Sequence, residues 1–410
     1  MMPPRRIAAS AALMLLLPAA RGMRLPEIDV QALSKNDPYR QCTGSDAAAA
    51  IIGCTIIIDA RDTSPRNRTL ALANRGVAYL NRGDSDRALA DLNKAITLDA
   101  GNSVALAGLG NYYHGQGDDK RALTEFDAAV AKNPKDSSAL LQRGNFSLLT
   151  GQPEKSIADF DKAIGLDPKN EVAFANRGEA SRVMGDNDRA IADYNQALKL
   201  NSKFADAYDD RGLALTSKGD FAHAIEDFNQ ALNLDPKFVA VYGHRAEAYE
   251  RSGDPGHAIA DVAEAIRTDA SDPAPWFIRG NIYEARNDLD HAIEDFSHAI
   301  MLNGGYAEAY NNRGTAYAHR GNYDRAISDF GVAIRLNPHL PGAYSNRGLA
   351  LLKIGELQRA IDDFNNALAA DPKDALSMYN RGVAKHKMGN QLAGDIDVAL
   401  ARGMDSNVGK

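Results

Sequence analysis

Cysteine, tryptophan, positive charge and long apolar stretches are what this 410-residue chain has little of. Its two cysteines, Cys42 and Cys54, are too few, with too few other ligands nearby, to hold a zinc ion. Beyond the first 22 residues no run of about 18 apolar residues occurs, so that part has no membrane span. Lys and Arg total 47 against 54 Asp and Glu, a net charge of −7. That argues against a nucleic-acid partner, which would want a basic face. No glycine loop for phosphate, nucleophile elbow or paired-His zinc helix is found. The expectation is a chain without metal, cofactor or enzymatic activity.

What is present is a spacing. Gly76, Gly110, Gly144, Gly178, Gly212, Gly280, Gly314, Gly348 and Gly382 share a 34-residue grid, with Ala246 in the remaining place. A strict period of this length means one supersecondary unit stacked on itself. The grid predicts ten units: 69–102, 103–136, 137–170, 171–204, 205–238, 239–272, 273–306, 307–340, 341–374 and 375–408. With the glycine at position 8 of each unit, position 15 is Gly in all but one, where Asn287 stands. These are the residues that end a helix in a left-handed conformation. Asp84, Asp118, Asp186, Asp220 and Asp254 follow as caps for a second helix. Position 20 is Ala or Ser until the last unit, and position 27 is always Ala, so neighbouring helices can approach closely. Pro134, Pro168, Pro236, Pro338 and Pro372 break the second helix.

Trp276, Gly280, Tyr283, Ala292 and Phe296, and likewise Tyr310, Gly314, Tyr317, Ala326, Phe330 and Pro338, resemble the tetratricopeptide repeat. The resemblance covers the ten units and implies an all-α fold, a right-handed α-solenoid superhelix of helix–turn–helix repeats. One departure stands out: the residue before the glycine, usually Leu in the family, is Arg in nine units.

Before the units, residues 1–22 combine Arg5 and Arg6, an apolar run and the small residues Ala20 and Gly22 two apart, and read as a cleaved secretory signal. Residues 23–68 form an N-terminal segment with a half-repeat helix, about four residues out of phase, and the Cys42, Cys54 pair. An even cysteine pair in an exported chain suggests a disulfide, and two free thiols are the alternative. The expected location is the periplasm or the outside of the cell.

Three columns carry side chains with chemistry. Position 7 is Arg and position 23 is acidic, so Arg279 with Asp295, Arg313 with Asp329 and Arg347 with Asp363 are expected to form a structural ladder, within a unit or across to the next. Position 6 holds Asn74, Gln142, Asn176, Asn312, Asn346 and Asn380, and position 9 adds Asn111, Asn145 and Asn281. Position 6 faces the inner groove in the family, and an amide offers both donor and acceptor. These nine are the candidate partner-binding residues, for the main chain of an extended peptide; local capping or packing is the competing reading. Position 19 holds His223, His257 and His291, spaced too far apart to share one metal ion.

The resemblance and the columns imply a non-catalytic module that binds a protein or peptide in its concave groove. Two alternatives remain open. One is a scaffold in a cell-envelope assembly, such as polysaccharide export or cell-wall remodelling. The other is a carbohydrate-binding solenoid, with Phe277 and Tyr379 as stacking platforms. The sequence has no reading for residues 23–41 and none for the oligomeric state.

Overall fold

Helix follows helix with no strand among the residues that the computed structural model describes, 37–409. The expected signal, residues 1–22, lies outside them. Of the N-terminal segment, 37–68 are described. No described helix is long and apolar enough to cross a membrane.

The chain divides into two compact units at Gly219 and Asp220. The described part of the first holds α1 (Pro38–Cys42), α2 (Ala47–Asp59), α3 (Pro65–Asn81), α4 (Ser85–Leu98), α5 (Ser103–Gly115), α6 (Asp119–Lys132), α7 (Ser137–Leu149), α8 (Pro153–Leu166), α9 (Glu171–Val183), α10 (Asn187–Leu200) and α11 (Ala205–Lys218). The second holds α12 (Phe221–Leu234), α13 (Val239–Arg251), α14 (Pro255–Thr268), α15 (Pro273–Ala285), α16 (Leu289–Leu302), α17 (Ala307–His319), α18 (Tyr323–Leu336), α19 (Ala343–Ile354), α20 (Leu357–Ala370), α21 (Ala375–Lys387) and α22 (Gln391–Met404).

The pair α17 and α18 shows how the sequence makes a hairpin. Arg320 ends α17, and Gly321 turns the chain at φ 77°. Asn322 then caps α18 by accepting the Arg325 amide at 3.3 Å. Asn287 takes the same left-handed turn at φ 59°, the one non-glycine among the described residues to do so. Gly314 sits so close to the Phe330 ring that an added Cβ would lie 2.8 Å from Cε1. Phe330 is thereby 1% exposed. Burying a ring of this size contributes about 2–3 kcal/mol.

Within each unit the helices stack in order, each on the next. First helices also touch the first helices two elements on, as α3 with α5 and α17 with α19, whereas second helices do not touch second helices. First helices therefore line the inner side of each stack. At the N-terminal end Cys42 and Cys54 are joined by a disulfide that clips α1 to α2, so the free-thiol alternative falls. A loop this short adds about 2–3 kcal/mol.

Candidate functional site: an arginine ladder and an amide column

Eight of the guanidinium groups of position 7 close a two-point fork on the acid sixteen residues on. Arg75 pairs with Asp91, Arg143 with Asp159, Arg177 with Asp193 and Arg245 with Asp261. Arg279 pairs with Asp295, Arg313 with Asp329, Arg347 with Asp363 and Arg381 with Asp397. In the Arg279 pair, Nε and Nη2 donate to Oδ2 and Oδ1 at 2.7 and 2.8 Å. The pair is sunk into the stack: the Asp295 side chain is 4% exposed and the Arg279 side chain 19%.

A third bond ties units together. The Nη1 of Arg143 donates to Asp127, that of Arg177 to Asp161, that of Arg211 to Asn195, and that of Arg313 to Ser297. Each acceptor lies sixteen residues back, at position 25 of the preceding second helix. Arg75 does the same to Thr55, but twenty residues back, which places α2 as a second helix with a four-residue offset. An aromatic ring three residues before the arginine often covers the guanidinium: Phe174 for Arg177, Trp276 for Arg279, Tyr310 for Arg313, Tyr344 for Arg347. The Asp fork raises Arg279 above its ordinary pKa, against the pull of burial. Where the second unit has Leu109 in place of Arg, Glu125 has no such fork, and burial raises its pKa. At the other end, burial would raise Asp397, but bonds from Arg381 and Lys385 outweigh it and hold the carboxyl below its ordinary range.

The amides lie on the first helices, and the structure brings most of them together in pairs. Asn111 Nδ2 donates to Gln142 Oε1 at 3.2 Å, Asn176 Nδ2 to Asn145 Oδ1 at 2.8 Å, and Asn312 Nδ2 to Asn281 Oδ1 at 2.7 Å. Each pair joins position 9 of one repeat to position 6 of the next. Asn346 breaks the pattern and donates to Asn311 Oδ1 at 3.3 Å, while Asn311 donates to Asn312. Asn380 is half-buried on α21, and Asn74 is buried. An Asn amide has two donor hydrogens and two acceptor lone pairs. A single rung consumes one donor of one partner and one lone pair of the other.

One rung is charged. Glu179 and Asp210 occupy the positions that Asn145 and Asn176 fill one repeat earlier. Arg182 forks onto Glu179 at 2.7 Å, and the Tyr194 hydroxyl donates to the same carboxylate at 3.3 Å. Burial, and then the neighbouring Glu179 and Asp209, push the Asp210 carboxyl well above its ordinary range. Burial likewise pushes the Tyr194 hydroxyl up.

Other candidates resolve differently. His223, His257 and His291 are exposed, and each ring Nδ1 meets the Asp three residues earlier, at 2.6 to 2.9 Å. Phe277 is wedged between Phe296 and Tyr306, at 5.8 and 4.8 Å between centroids. Tyr379 packs into the cluster of Leu368, Met378 and Val408. Neither is an open stacking platform. Sequence reasoning missed position 25 and Asn311. The signal for position 25 was there, as a row of short polar residues: Thr55, Asp127, Asp161, Asn195, Asn229, Ser297 and Asn365.

Sequence models of the repeat match along much of the chain. Those described as "Tetratricopeptide repeat" match 79–143, 137–170, 244–300, 307–340 and 341–374, and one described as "TPR repeat" matches 182–215 and 212–253. No curated protein matches. Among solved structures, a tetratricopeptide repeat protein from Parabacteroides merdae is 21% identical, over 60% of this chain and 98% of that one, with a TM-score of 0.49. YrrB, titled a TPR protein with an unusual peptide-binding site, is 24% identical over 45% and 95%, with a TM-score of 0.36. PilF of Pseudomonas aeruginosa is 19% identical over 50% and 94%, with a TM-score of 0.46. With the helical hairpins and the matched repeats together, the chain belongs to the tetratricopeptide-repeat proteins.

Proposed function

We propose that this chain is a non-catalytic binding module that holds an extended segment of a protein partner along its first-helix face. Repeats of this family are typically protein–protein interaction modules. The supporting observation is the arithmetic of the amide rungs. Each pair bonds across a repeat boundary yet keeps a donor and an acceptor in hand, so a main chain lying along the column can be gripped whatever its side chains. The nine amides at 74, 111, 142, 145, 176, 281, 312, 346 and 380 are the proposed contacts, on the ten-unit array 69–408. The disulfide and the basic-then-apolar start of the sequence support an exported location, periplasmic or extracellular. The net charge of −7 speaks for a protein partner over a nucleic acid.

The test combines Asn312→Ala, Asn346→Ala and Asn380→Ala in one variant. Crosslinking in the exported fraction should recover a partner with the natural chain and at least about tenfold less with the variant. Equal recovery by a folded variant removes the amides from the binding surface.

The scaffold alternative has one observation of its own. Leu392, Ile396 and Leu400 on α22 are 74%, 52% and 51% exposed. The corresponding outward positions of the preceding repeat are Gln358, Asp362 and Asn366. An apolar row in a polar place favours outer-face contacts in an assembly. Replacing Leu392 and Ile396 with Glu would abolish assembly under that reading and leave peptide capture intact.

A further inference from the structure

The charged rung lacks the N–H that the bonded amide rungs supply. Asn176 donates to Asn145 at 2.8 Å, and one repeat on Asp210 and Glu179 stand in their places. An ionised carboxylate accepts hydrogen bonds and has none to give. Two carboxylates sharing one place therefore need a proton, or a donor from outside, between them. Asp210 lies on α11 and Glu179 on α9, both within the first compact unit. Glu179 is held from two sides: Arg182 forks onto both of its oxygens, and Tyr194, 0% exposed, supports it with its hydroxyl. No described residue donates a hydrogen bond to the Asp210 carboxylate.

Charge says which donor fits. Glu179 on α9 and Asp206 and Asp209 on α11 face Asp210 as acids, and Arg182 faces it as the one cation. Tyr194 on α10 completes the surroundings. Arg182 is engaged with Glu179, so the place stays negative. It is also open to solvent: the side chains of Glu179 and Arg182 are 14% and 29% exposed, and Asp210 is half-buried. We propose that this rung selects the partner: the extended segment on the first-helix face carries a lysine or arginine side chain here, whose N–H groups bond Asp210 and complete the rung. In the free chain, burial and the neighbouring acids keep a proton on Asp210 well above the ordinary carboxylate range. The ligand cation takes that proton's place, and the proton passes to solvent. The neutral amides grip main chain without preference, whereas the charged rung sets where a basic residue must fall. The proposal rests on the groove reading for the path of the rest of the segment.

The probe is an acetylated and amidated octapeptide of alternating alanine and lysine, whose lysines share one side of an extended chain. Its control has glutamine in place of lysine, which keeps N–H donors and removes the charge. Titration calorimetry on the full chain near pH 6, in two buffers with different heats of ionisation, reads affinity and protons released together. The lysine peptide should bind at least about tenfold tighter than the glutamine peptide and release protons. Asp210→Asn should lose both the preference and the release. Asp324→Asn removes the same charge from an exposed position on α18 and should lose neither. Equal binding of the two peptides, no proton release, or an equal loss in both variants overturns the proposal. Should Asp210→Asn fail to fold, the peptide comparison and the proton count in the natural chain decide. A variant with Asn145→Ala and Asn176→Ala separates the two readings. Unchanged binding of the lysine peptide by that variant sinks the groove reading alone, whereas equal binding of both peptides that the variant abolishes sinks this one alone.

Discussion

The arginine ladder and the amide column run along the same helices, yet one barely changes and the other changes at nearly every rung. Eight Arg–Asp pairs between Arg75 and Arg381 meet in the same two-point geometry, and the repeat with Leu109 has none. The amide rungs pass from Asn–Gln to Asn–Asn to Glu and Asp, and later to an Asn reaching a different partner. A column that serves stacking is held to one solution, because each fork closes its own hairpin and most of the same arginines also bond to the hairpin before. A column that meets a ligand can vary, since little in the packing depends on it.

Breaking a fork should therefore cost more than breaking a rung. Asp295→Ala leaves the Arg279 guanidinium, 19% exposed, without its main partner. Denaturant unfolding should show a loss of about 2–3 kcal/mol, below the range of about 3–5 for a fully buried pair because Arg279 keeps some water. Arg313→Lys is milder, about 1–2 kcal/mol: the charge stays, but the fork on Asp329 and the bond to Ser297 go. Local hydrogen exchange in α17 and α18 should rise. A ladder variant with unchanged stability would erase the distinction between the two columns. Asn312→Ala should cost only about 1 kcal/mol of stability while reducing partner capture.

The charged rung sharpens the comparison through pH. Asp210 has a folded-state pKa above its unfolded value, so relative to a neutral side chain it lowers stability as pH rises above the ordinary carboxylate range. Asp210→Asn should be the more stable chain at pH 7, and the gap should close near pH 4. Unfolding curves at the two pH values check this, and a gap that persists in acid refutes it. The smallest effect is at the exposed histidines. The Asp288 partner raises His291, so its NMR titration midpoint should lie above 6.5 and fall back in Asp288→Asn. That ion pair is present below the ordinary histidine pKa and fades as pH climbs through the folded value.

Much of the architecture was legible because a 34-residue period repeats its own punctuation. Asn287 at the turn and Asp220 before α12 can be read singly, since each has a local reason to be there. The fork partners were legible as columns, because antiparallel helices must place positions 7 and 23 side by side. The mutual bonding of the amides was not. Whether Asn176 faces a ligand or Asn145 depends on how far successive first helices are apart, and no single-repeat pattern encodes that distance. Asn346 turns to Asn311 where position 9 of the preceding repeat is Thr315 in place of Asn. The buried, unbonded amide of Asn74 lies against the half-repeat of α1 and α2, which departs from the period altogether.

The third bond, made by seven of the nine ladder arginines, has a direction. Arg143 grips Asp127, Arg177 grips Asp161 and Arg381 grips Asn365, always toward the start of the chain. Hairpins trimmed from the tail break none of these third bonds in the hairpins that remain. Trimming from the head frees an arm of the next arginine wherever that bond exists, so shortened versions of this protein should keep the beginning and give up the end.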